Sequence, residues 1–557
     1  MKRLLTLTAL VTVSGTALSG LATAAPLADN LPAGALMTLQ TNGASATLDR
    51  ILGLVAGAAG QDAGDMVDGV GGLLKGSIGN EATVGVFSVG SEKGGYTPAL
   101  LAVSRLDVAS SGFFGTLLPK KVGARVGKYT FSRDGDLFVG KAGGLVYLAS
   151  DKGLLMNYLG RLSGSKAPRL SASAAYAAPH KAMQEQDLSL YFNFSATARV
   201  IRGQLGKVLL PRLLSPLVDA LDTLGSYAAG FSSTDTGLSA RAAHLPNAAG
   251  RDRPLYSILT HTTDFAVQNI IPASAESVGA TACAAETAPY LGRWLTRFDL
   301  FDPTGFLTDS QLAANLEESS RYLGNECAQV TLAGGTRASL DQNTSSSLNY
   351  AVTYQRVNDM DAAKTHLPGY VKSLNEAIQG AAATLSTLGG KIDALSGGAA
   401  TGGKSRGASA TMQSTQAQLN DLKKQIAAVK VVYGFRGEYL VMANSEKALA
   451  AALDESAPVL ADDEGFGAAN LSMTGVAGWS YGKAGAKISA ADVMKLFNRS
   501  GEFNTPSARA ALKSVIGPVS EATADLYNRY GGMSSQSTVG NGLILNTSVV
   551  RYDWKKK

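Results

Sequence analysis

The sequence predicts an α+β fold: two tandem copies of an antiparallel sheet packed with helices, plus an antiparallel helical hairpin inserted in the second copy. Three observations support this: short apolar strands joined by tight turns, helical stretches grouped between them, and a set of similar segments that recurs once in the same order. Strands joined by hairpins, with helices between them, indicate an antiparallel sheet covered by helices. The apolar content of 45% and the charged content of 17% are typical of a folded chain.

The clearest trace of the repeat is a hairpin that runs into a helix, present at residues 137–159 and again at 432–453. In both stretches an apolar strand ends in a polar turn with Ser, an acid and Lys, and a Leu/Ala-rich helix follows. This match pairs Lys152 with Lys447. Because both copies would use the paired residues alike, we expect a turn or capping role for them.

Four further matches keep the same order along the chain, which favours duplication of a domain-sized unit over chance similarity. They pair 35–43 with 255–263 as strands, Gly79-Asn80-Glu81 with Gly324-Asn325-Glu326, Arg105-Leu106 with Arg356-Val357, and 226–233 with 529–535. We therefore expect a first copy at 25–250 and a second copy at 251–557.

The first 24 residues have the pattern of a secretory signal peptide. Lys2 and Arg3 precede an apolar run, and Ala22-Thr23-Ala24 offers small residues for cleavage. No later stretch has the roughly 18 apolar residues that a membrane span needs. The sequence thus predicts an exported protein of the periplasm or cell envelope, without a transmembrane span after cleavage.

The formal net charge of +6 is modest, and the Lys and Arg residues are scattered along the chain. A nucleic-acid-binding protein would carry a basic stripe interleaved with aromatic residues. The sequence therefore indicates no nucleic-acid partner.

The chain has only two cysteines, Cys283 and Cys327. In an oxidising compartment they are expected to form a disulfide. A metal site is not indicated, because the nearest histidines, His261 and His366, do not have ligand spacing.

The insertion in the second copy, at about 376–430, has two heptad patterns separated by a Gly-rich segment at 397–407. The pattern predicts an antiparallel hairpin of two helices with a mobile tip that carries Lys404 and Arg406. In the alternative interpretation, both apolar seams pack on the domain core. The seams are formed by Ile378, Leu385, Leu388, Ile392 and Leu395, and by Met412, Leu419, Leu422, Ile426 and Val429.

Two motifs in the Gly-rich tip match catalytic patterns by letter only. Residues 398–405 fit a phosphate-binding loop and residues 403–407 fit a nucleophile elbow, but neither follows a buried strand. The acids Asp462-Asp463-Glu464 follow a proline, where capping of a helix is the simpler role. We therefore expect no catalytic, cofactor or metal-binding residues, and no enzymatic activity.

The opening Leu31-Pro32 before a strand, the Gly-Asn-Glu motif and the hairpin that ends in Ser-Asp/Glu-Lys resemble the exported bacterial family called domain of unknown function 3352, which is known from Deinococcus-like and cyanobacterial envelopes. The resemblance spans essentially the whole chain after residue 24. It implies an exported envelope protein and gives no residue a catalytic role. The helical insertion departs from the simpler family pattern.

The sequence thus predicts a non-enzymatic cell-envelope protein that binds or scaffolds a partner, either an envelope protein or a cell-wall component. The inserted hairpin, with Lys404 and Arg406, is the expected contact. The alternative function is that of a carrier for an apolar molecule, such as a lipid or carotenoid, held between sheet and helices.

Overall fold

The structure is a computed structural model. It describes residues 26–43, 47, 50, 81–91, 95–106, 123–205, 211–295, 310–335, 350–399, 429–485, 487–499 and 520–554 except 522 and 526. The predicted signal peptide lies outside these residues. Within them, the fold combines helices with antiparallel sheet, as the sequence predicts.

The chain divides into two compact units. Unit 1 comprises residues 1–256, 517–531 and 537–557, and unit 2 comprises 257–516 and 532–536. The first segment of unit 1 ends at residue 256, six residues after the expected copy boundary, and unit 1 also includes most of the C-terminal residues. Their last strand pairs with a strand of unit 1, so the predicted second copy, 251–557, is not one continuous unit.

Unit 1 contains one antiparallel sheet. Its neighbour order is β4-β5-β6-β7-β3-β2-β1-β8-β9-β10-β18. The strands are β1 (Ala35–Asn42), β2 (Glu81–Ser91), β3 (Gly95–Arg105), β4 (Ala124–Val126), β5 (Tyr129–Asp134), β6 (Leu137–Ala142), β7 (Leu145–Ala149), β8 (Leu188–Asn193), β9 (Ser226–Thr234), β10 (Gly237–Leu245) and β18 (Leu543–Tyr552).

Helices cover this sheet, and tyrosines dominate the largest buried side chains beneath them. Tyr147, Tyr158 and Tyr191 are completely buried with Leu155 and Leu159 in the core. The helices are α1 (Lys152–Leu162), α2 (Ala174–Met183), α3 (Phe194–Leu205) and α4 (Pro211–Leu224). Short 3-10 helices at Leu27–Asn30 and Leu170–Ala172 flank the start of β1.

The sheet of unit 2 has the neighbour order β14-β15-β13-β12-β11-β16, again antiparallel throughout. Its strands are β11 (Ser277–Ala282), β12 (Leu323–Thr331), β13 (Ala351–Val357), β14 (Val432–Arg436), β15 (Tyr439–Ala443) and β16 (Gly478–Gly482). When β4 and β5 of unit 1 are set aside, its order β6-β7-β3-β2-β1-β8 and the order β14-β15-β13-β12-β11-β16 of unit 2 are the same, with β1 in the place of β11. The remaining strand, β17, is Tyr530–Gly540.

Two apolar clusters hold unit 2 together. One surrounds Trp479, with Phe265 and Phe466 edge-on to the indole. The other packs Ala363 and Leu367 against neighbouring strands. The helices are α5 (Pro254–Thr260), which crosses the boundary between the units, α6 (Thr287–Leu295), α7 (Ser310–Ser319), α8 (Met360–Ala399), α9 (Glu446–Leu453), α10 (Glu464–Ala468) and α11 (Ala490–Arg499).

The predicted disulfide is confirmed. Cys283, just beyond β11, is joined to Cys327 on β12, with their Cα atoms 5.8 Å apart. The bond ties two neighbouring strands of unit 2 at the edge of their ladder, where Thr281 stands opposite Cys327.

The prediction of a strand at 255–263 is wrong. Residues Pro254–Thr260 form α5, and the strand that occupies the place of β1 in unit 2 is β11. A proline at the first position of a helix has its backbone angle already fixed for the helix, and its missing N–H is not needed there. Pro254 therefore favours helix over strand despite the β-branched residues that follow.

The helix α8 is longer than the first arm of the predicted hairpin. It begins at Met360 and ends at Ala399, 40 residues in all, and so includes Gly397 and Gly398, which were expected in the loop. Ile378 packs against the core cluster of Leu367 and Val371. The second predicted helix and the tip lie outside the described residues. None of the helices in the described part of the chain combines the length and apolarity that crossing a bilayer requires.

Candidate functional site

Glu326, one of the recurring acids, joins separate segments of unit 2 through hydrogen bonds. Its side chain is completely buried. One carboxylate oxygen accepts hydrogen bonds from the backbone N–H groups of Ala266 (2.7 Å) and Val267 (2.6 Å), and the other accepts the Tyr439 hydroxyl (2.6 Å). Burial, followed by the bond to Glu326, raises the pKa of Tyr439 and keeps it a donor. The carboxylate thereby caps the 3-10 helix Val267–Asn269.

Glu81 holds the matching segment of unit 1. Its carboxylate accepts the backbone N–H of Leu27 and pairs with Arg105 at 2.9 Å. Both glutamates thus hold the start of a 3-10 helix, and Glu326 itself lies within β12.

Asp463 confirms the capping role predicted for the acidic run. It accepts the Phe466 backbone N–H at the start of α10, and Lys483 Nζ lies 2.6 Å from its other oxygen. Burial raises the pKa of this carboxyl, but the hydrogen bonds from Lys483, Phe466 and Tyr481 outweigh burial and hold the pKa below its usual value. The site is a packed capping network.

The predicted pairing of Lys152 with Lys447 is wrong by one position. The residues that correspond in the strand registers are Asp151 and Ser445, and each accepts the backbone N–H three residues on, as the cap of α1 or α9. Lys447 Nζ lies 5.9 Å from the centre of the Tyr350 ring. Neither lysine is placed beside a cluster of acids or nucleophiles.

Within the described residues, no group of three or more His, Cys, Asp or Glu side chains could hold a metal ion. His366 contacts Glu318 at 3.1 Å, whereas one ring nitrogen of His180 and one of His244 each face a backbone carbonyl. These contacts do not assemble a nucleophile and its base.

The base of the predicted helical insertion is fixed by one side chain. Asn375 on α8 donates to the backbone carbonyl of Val431 (3.0 Å) and accepts its N–H (2.8 Å). Asn375 thus joins α8 to the segment that precedes β14. Lys404 and Arg406, the predicted partner contacts, lie outside the described residues.

The sequence reasoning missed a polar strip inside unit 1, on the face of the sheet under α2. Cross-strand neighbours point to the same face, so the registers of β2, β1 and β8 define two rows of side chains. Tyr176 on α2 marks the face, because its hydroxyl donates to Gln40 at 3.1 Å. The first row is Thr83, Gln40 and Ser189, and the second row is Gly85, Thr38 and Tyr191.

Several polar atoms of this strip are buried without a partner. Thr38 is 0% exposed, and Thr83 and Ser189 are each 1% exposed, yet none of the three hydroxyls makes a hydrogen bond within the described part of the protein. The Gln186 carbonyl oxygen is in the same state, and its side chain covers Gly230, opposite Ser189. Buried polar atoms normally have partners, so this concentration requires a physical explanation.

His180 closes the strip from above. Its ring stacks on Tyr176 with the ring centres 3.7 Å apart, and it lies 5.7 Å from the Tyr191 ring. Since a carbonyl can only accept, Nδ1 must donate to the Tyr176 carbonyl at 2.9 Å, which leaves Nε2 as an unprotonated acceptor without a partner among the described residues. Burial lowers the pKa of His180 to about 4, so the ring is neutral at pH 7.

Unit 2 has apolar residues at most positions that correspond to the strip. In its registers the first row is Ala328, Ala280 and Trp479, and the second row is Val330, Val278 and Tyr481. All six are buried in a core cluster. The same sheet order therefore holds an apolar interior in one unit and a hydroxyl-rich interior in the other.

Comparisons with known proteins yield little. No protein-family model matches the chain, and no curated protein matches it. Among solved structures, crystal form III of TP0453 is similar over 44% of this chain and 90% of that chain, at 12% identity and a TM-score of 0.22. Crystal form I of TP0453 covers the same shares at 12% identity and a TM-score of 0.23. At such scores the likeness carries no argument about fold or function.

Proposed function

We propose that this chain is a non-enzymatic exported protein of the cell envelope that binds or scaffolds a partner through the helical arm inserted at residues 376–430. The observation that carries the proposal is the clamp between Asn375 and Val431, which closes the base of this insertion. A segment whose two ends are fixed together at one residue can be added to a unit without altering its sheet.

The length of α8 supports a contact role for the arm. At a rise of about 1.5 Å per residue, the part from Glu376 to Ala399 is about 36 Å long. The preceding part is docked, with Ala363, Leu367 and Val371 in the core of unit 2. In this proposal the docked half of the helix is the anchor, and the half toward Ala399 reaches the partner. The basic residues Lys404 and Arg406 of the proposed tip favour an acidic partner.

We also propose that the two units descend from one duplicated unit, as the recurring segments of the sequence predict. The shared strand order supports this. So does a shared contact in which Leu170 N–H bonds the Leu31 carbonyl and Leu460 N–H bonds the Ile271 carbonyl, at 2.7 and 2.8 Å. The arm is then an addition to one copy. Export is supported by the disulfide, which forms stably in oxidising compartments.

The alternative is a carrier of a lipid or carotenoid between sheet and helices. In unit 1 this place is lined by hydroxyls of Thr38, Thr83 and Ser189, which do not suit an apolar ligand. The described contacts therefore favour the binding protein. Mass spectrometry of an organic extract of the purified protein separates the two functions, since a stoichiometric lipid would favour the carrier.

The test of the arm is capture of partners in cells. The exported, tagged chain is crosslinked in intact envelopes and compared with a variant in which residues 379–424 are replaced by a short Gly-Ser linker. A matched control changes the exposed Lys152 to Ala. We expect the deletion to abolish capture of specific partners while the control retains it. Equal capture by all three proteins would contradict the proposed arm.

A further inference from the structure

We infer that the polar strip of unit 1 is a binding site for a small neutral molecule that both donates and accepts hydrogen bonds, with water as the smallest such ligand. The strip consists of Thr38, Thr83, Ser189 and Gln186 on the sheet side and His180 on α2. The inference is independent of the helical arm and of its partner.

The buried polar atoms of the strip require hydrogen-bond partners. The hydroxyls of Thr38, Thr83 and Ser189 and the oxygen of Gln186 have no hydrogen bond within the described residues. Leaving such groups unpaired in an apolar interior is strongly unfavourable, and buried water normally supplies the missing bonds, about three per molecule. A ligand that bonds several of these atoms removes this penalty at once.

The registers of β2, β1 and β8 place the polar side chains of the strip near one another. Thr38 stands opposite Tyr191, and Gln40 stands between Thr83 and Ser189, in adjacent registers of three strands. Cα atoms of opposed residues on antiparallel strands are about 4.5–5.5 Å apart. Thr38 lies diagonally across from Thr83 and from Ser189, at about 7–8 Å, a spacing that one small molecule with more than one polar group can bridge.

The hydrogen-bonding groups of the strip indicate which kind of molecule it can bind. The strip offers hydroxyls that donate or accept, and two pure acceptors: Nε2 of His180 and the Gln186 oxygen. Glu81 lies two residues from Thr83 on the same face of β2, but it is already paired with Arg105, and the histidine of the strip is neutral. A cation or an anion would lack a counter-charge, so a neutral molecule that can donate to the two acceptors fits best.

Unit 2 has different residues at the positions that match the strip. The positions that match Thr83, Thr38 and Ser189 in the registers hold Ala328, Val278 and Trp479. Ala328 and Val278 have no hydrogen-bonding side-chain group, and the one polar atom at these positions is the buried indole N–H of Trp479, which also has no partner among the described residues. The polar residues of unit 1 are therefore not a requirement of the fold.

The experiment uses the mature full-length chain and the isosteric substitution Thr38→Val. If a bound molecule makes a hydrogen bond to the Thr38 hydroxyl, the valine leaves that molecule without one of its partners. The melting temperature should then fall by about 2–4 °C. If the hydroxyl has no partner, the valine should leave the melting temperature unchanged or raise it, which would overturn the inference. Val278→Thr is the matched substitution in unit 2 and should lower the melting temperature, showing that the assay detects a stranded hydroxyl.

A crystal structure of the same protein, grown without polyols, decides between the sources of the ligand. We expect electron density within hydrogen-bond distance of Thr38, Ser189 and His180 Nε2. Water-sized density assigns the site to solvent, while a larger density matched by a solute in the mass spectrum of the denatured protein assigns it to a small hydroxylated molecule. Both results support the site. An interior of unit 1 with no bound molecule at these atoms would refute it.

Discussion

Removal of the buried carboxylate at Glu326 is expected to destabilise unit 2 more than removal of any exposed acid. Glu326→Ala eliminates three hydrogen bonds, at 2.6 to 2.7 Å. It also leaves the N–H groups of Ala266 and Val267 and the hydroxyl of Tyr439 without their acceptor. The substitution therefore acts through stranded donors as well as through lost attraction.

The magnitude follows from the number of donors left behind. Each buried group left unsatisfied costs about 1–3 kcal/mol, and bonds to a charged acceptor lie at the upper end. Three donors, partly relieved by local rearrangement, give a loss of about 4 kcal/mol in the free energy of unfolding. Glu326→Gln should lose only about 1–2 kcal/mol, because the amide oxygen still accepts the two backbone N–H groups.

Urea unfolding of the mature chain, followed by circular dichroism, measures these differences, and calorimetry adds an expected fall of about 8 °C in the melting temperature for Glu326→Ala. The control is Glu438→Ala, since that carboxylate is 72% exposed in its pair with Arg356 and should contribute almost nothing. A loss below about 1 kcal/mol for Glu326→Ala, or equal effects of the two alanine substitutions, would refute the reasoning.

Three further predictions concern other contacts. Because the pKa of His180 falls from 6.5 to about 4 on folding, the unfolded chain binds more protons below pH 6.5. The contribution of His180 is fully present above pH 6.5 and declines by up to about 3 kcal/mol as the pH falls toward 4, so His180→Gln should flatten the pH dependence of unfolding in that window. Reduction of Cys283–Cys327 should lower the free energy of unfolding by about 2–4 kcal/mol, and identical oxidised and reduced melting curves would contradict the bond. Asn375→Ala should speed hydrogen exchange at Val431 while the exposed control Lys372→Ala leaves exchange unchanged, and unaltered exchange in both variants would rule out the clamp.

Local rules predicted part of this fold well. The hairpin-helix units at 137–159 and 432–453 form as expected, because alternating apolar strands, tight turns and a capping Asp151 or Ser445 all favour the same structure. The disulfide followed from the presence of only two cysteines. The capping role of the acids followed from their position beside the start of a helix.

Other elements could not be predicted from local patterns. β11 has the sequence SVGATA and so contains few large apolar residues. It pairs with β12 on one side and with β16 on the other, where Ala280 stands opposite Trp479. No pattern rule marks such a strand. The stretch at 255–263 looks more like a strand but begins with the helix-initiating Pro254.

The polar strip was missed for a related reason. An alternation rule places the leucines of β1 and β8 in the core, yet Thr38 and Ser189 are the buried residues, and Leu39 and Leu190 are only half-buried on the opposite face. Because the residues on the other face are themselves half-buried, the alternation alone does not show which face of these strands is the inner one. Only the registers, with the matching positions of unit 2, reveal the strip.

The most direct test of the proposed function is co-sedimentation of the purified mature protein with isolated cell envelopes. The account predicts that the intact chain sediments with the envelopes, that the variant lacking 379–424 stays in the supernatant, and that Lys404→Ala with Arg406→Ala weakens the association at low salt. Sedimentation of the arm-deleted variant to the same extent as the intact chain would contradict the account.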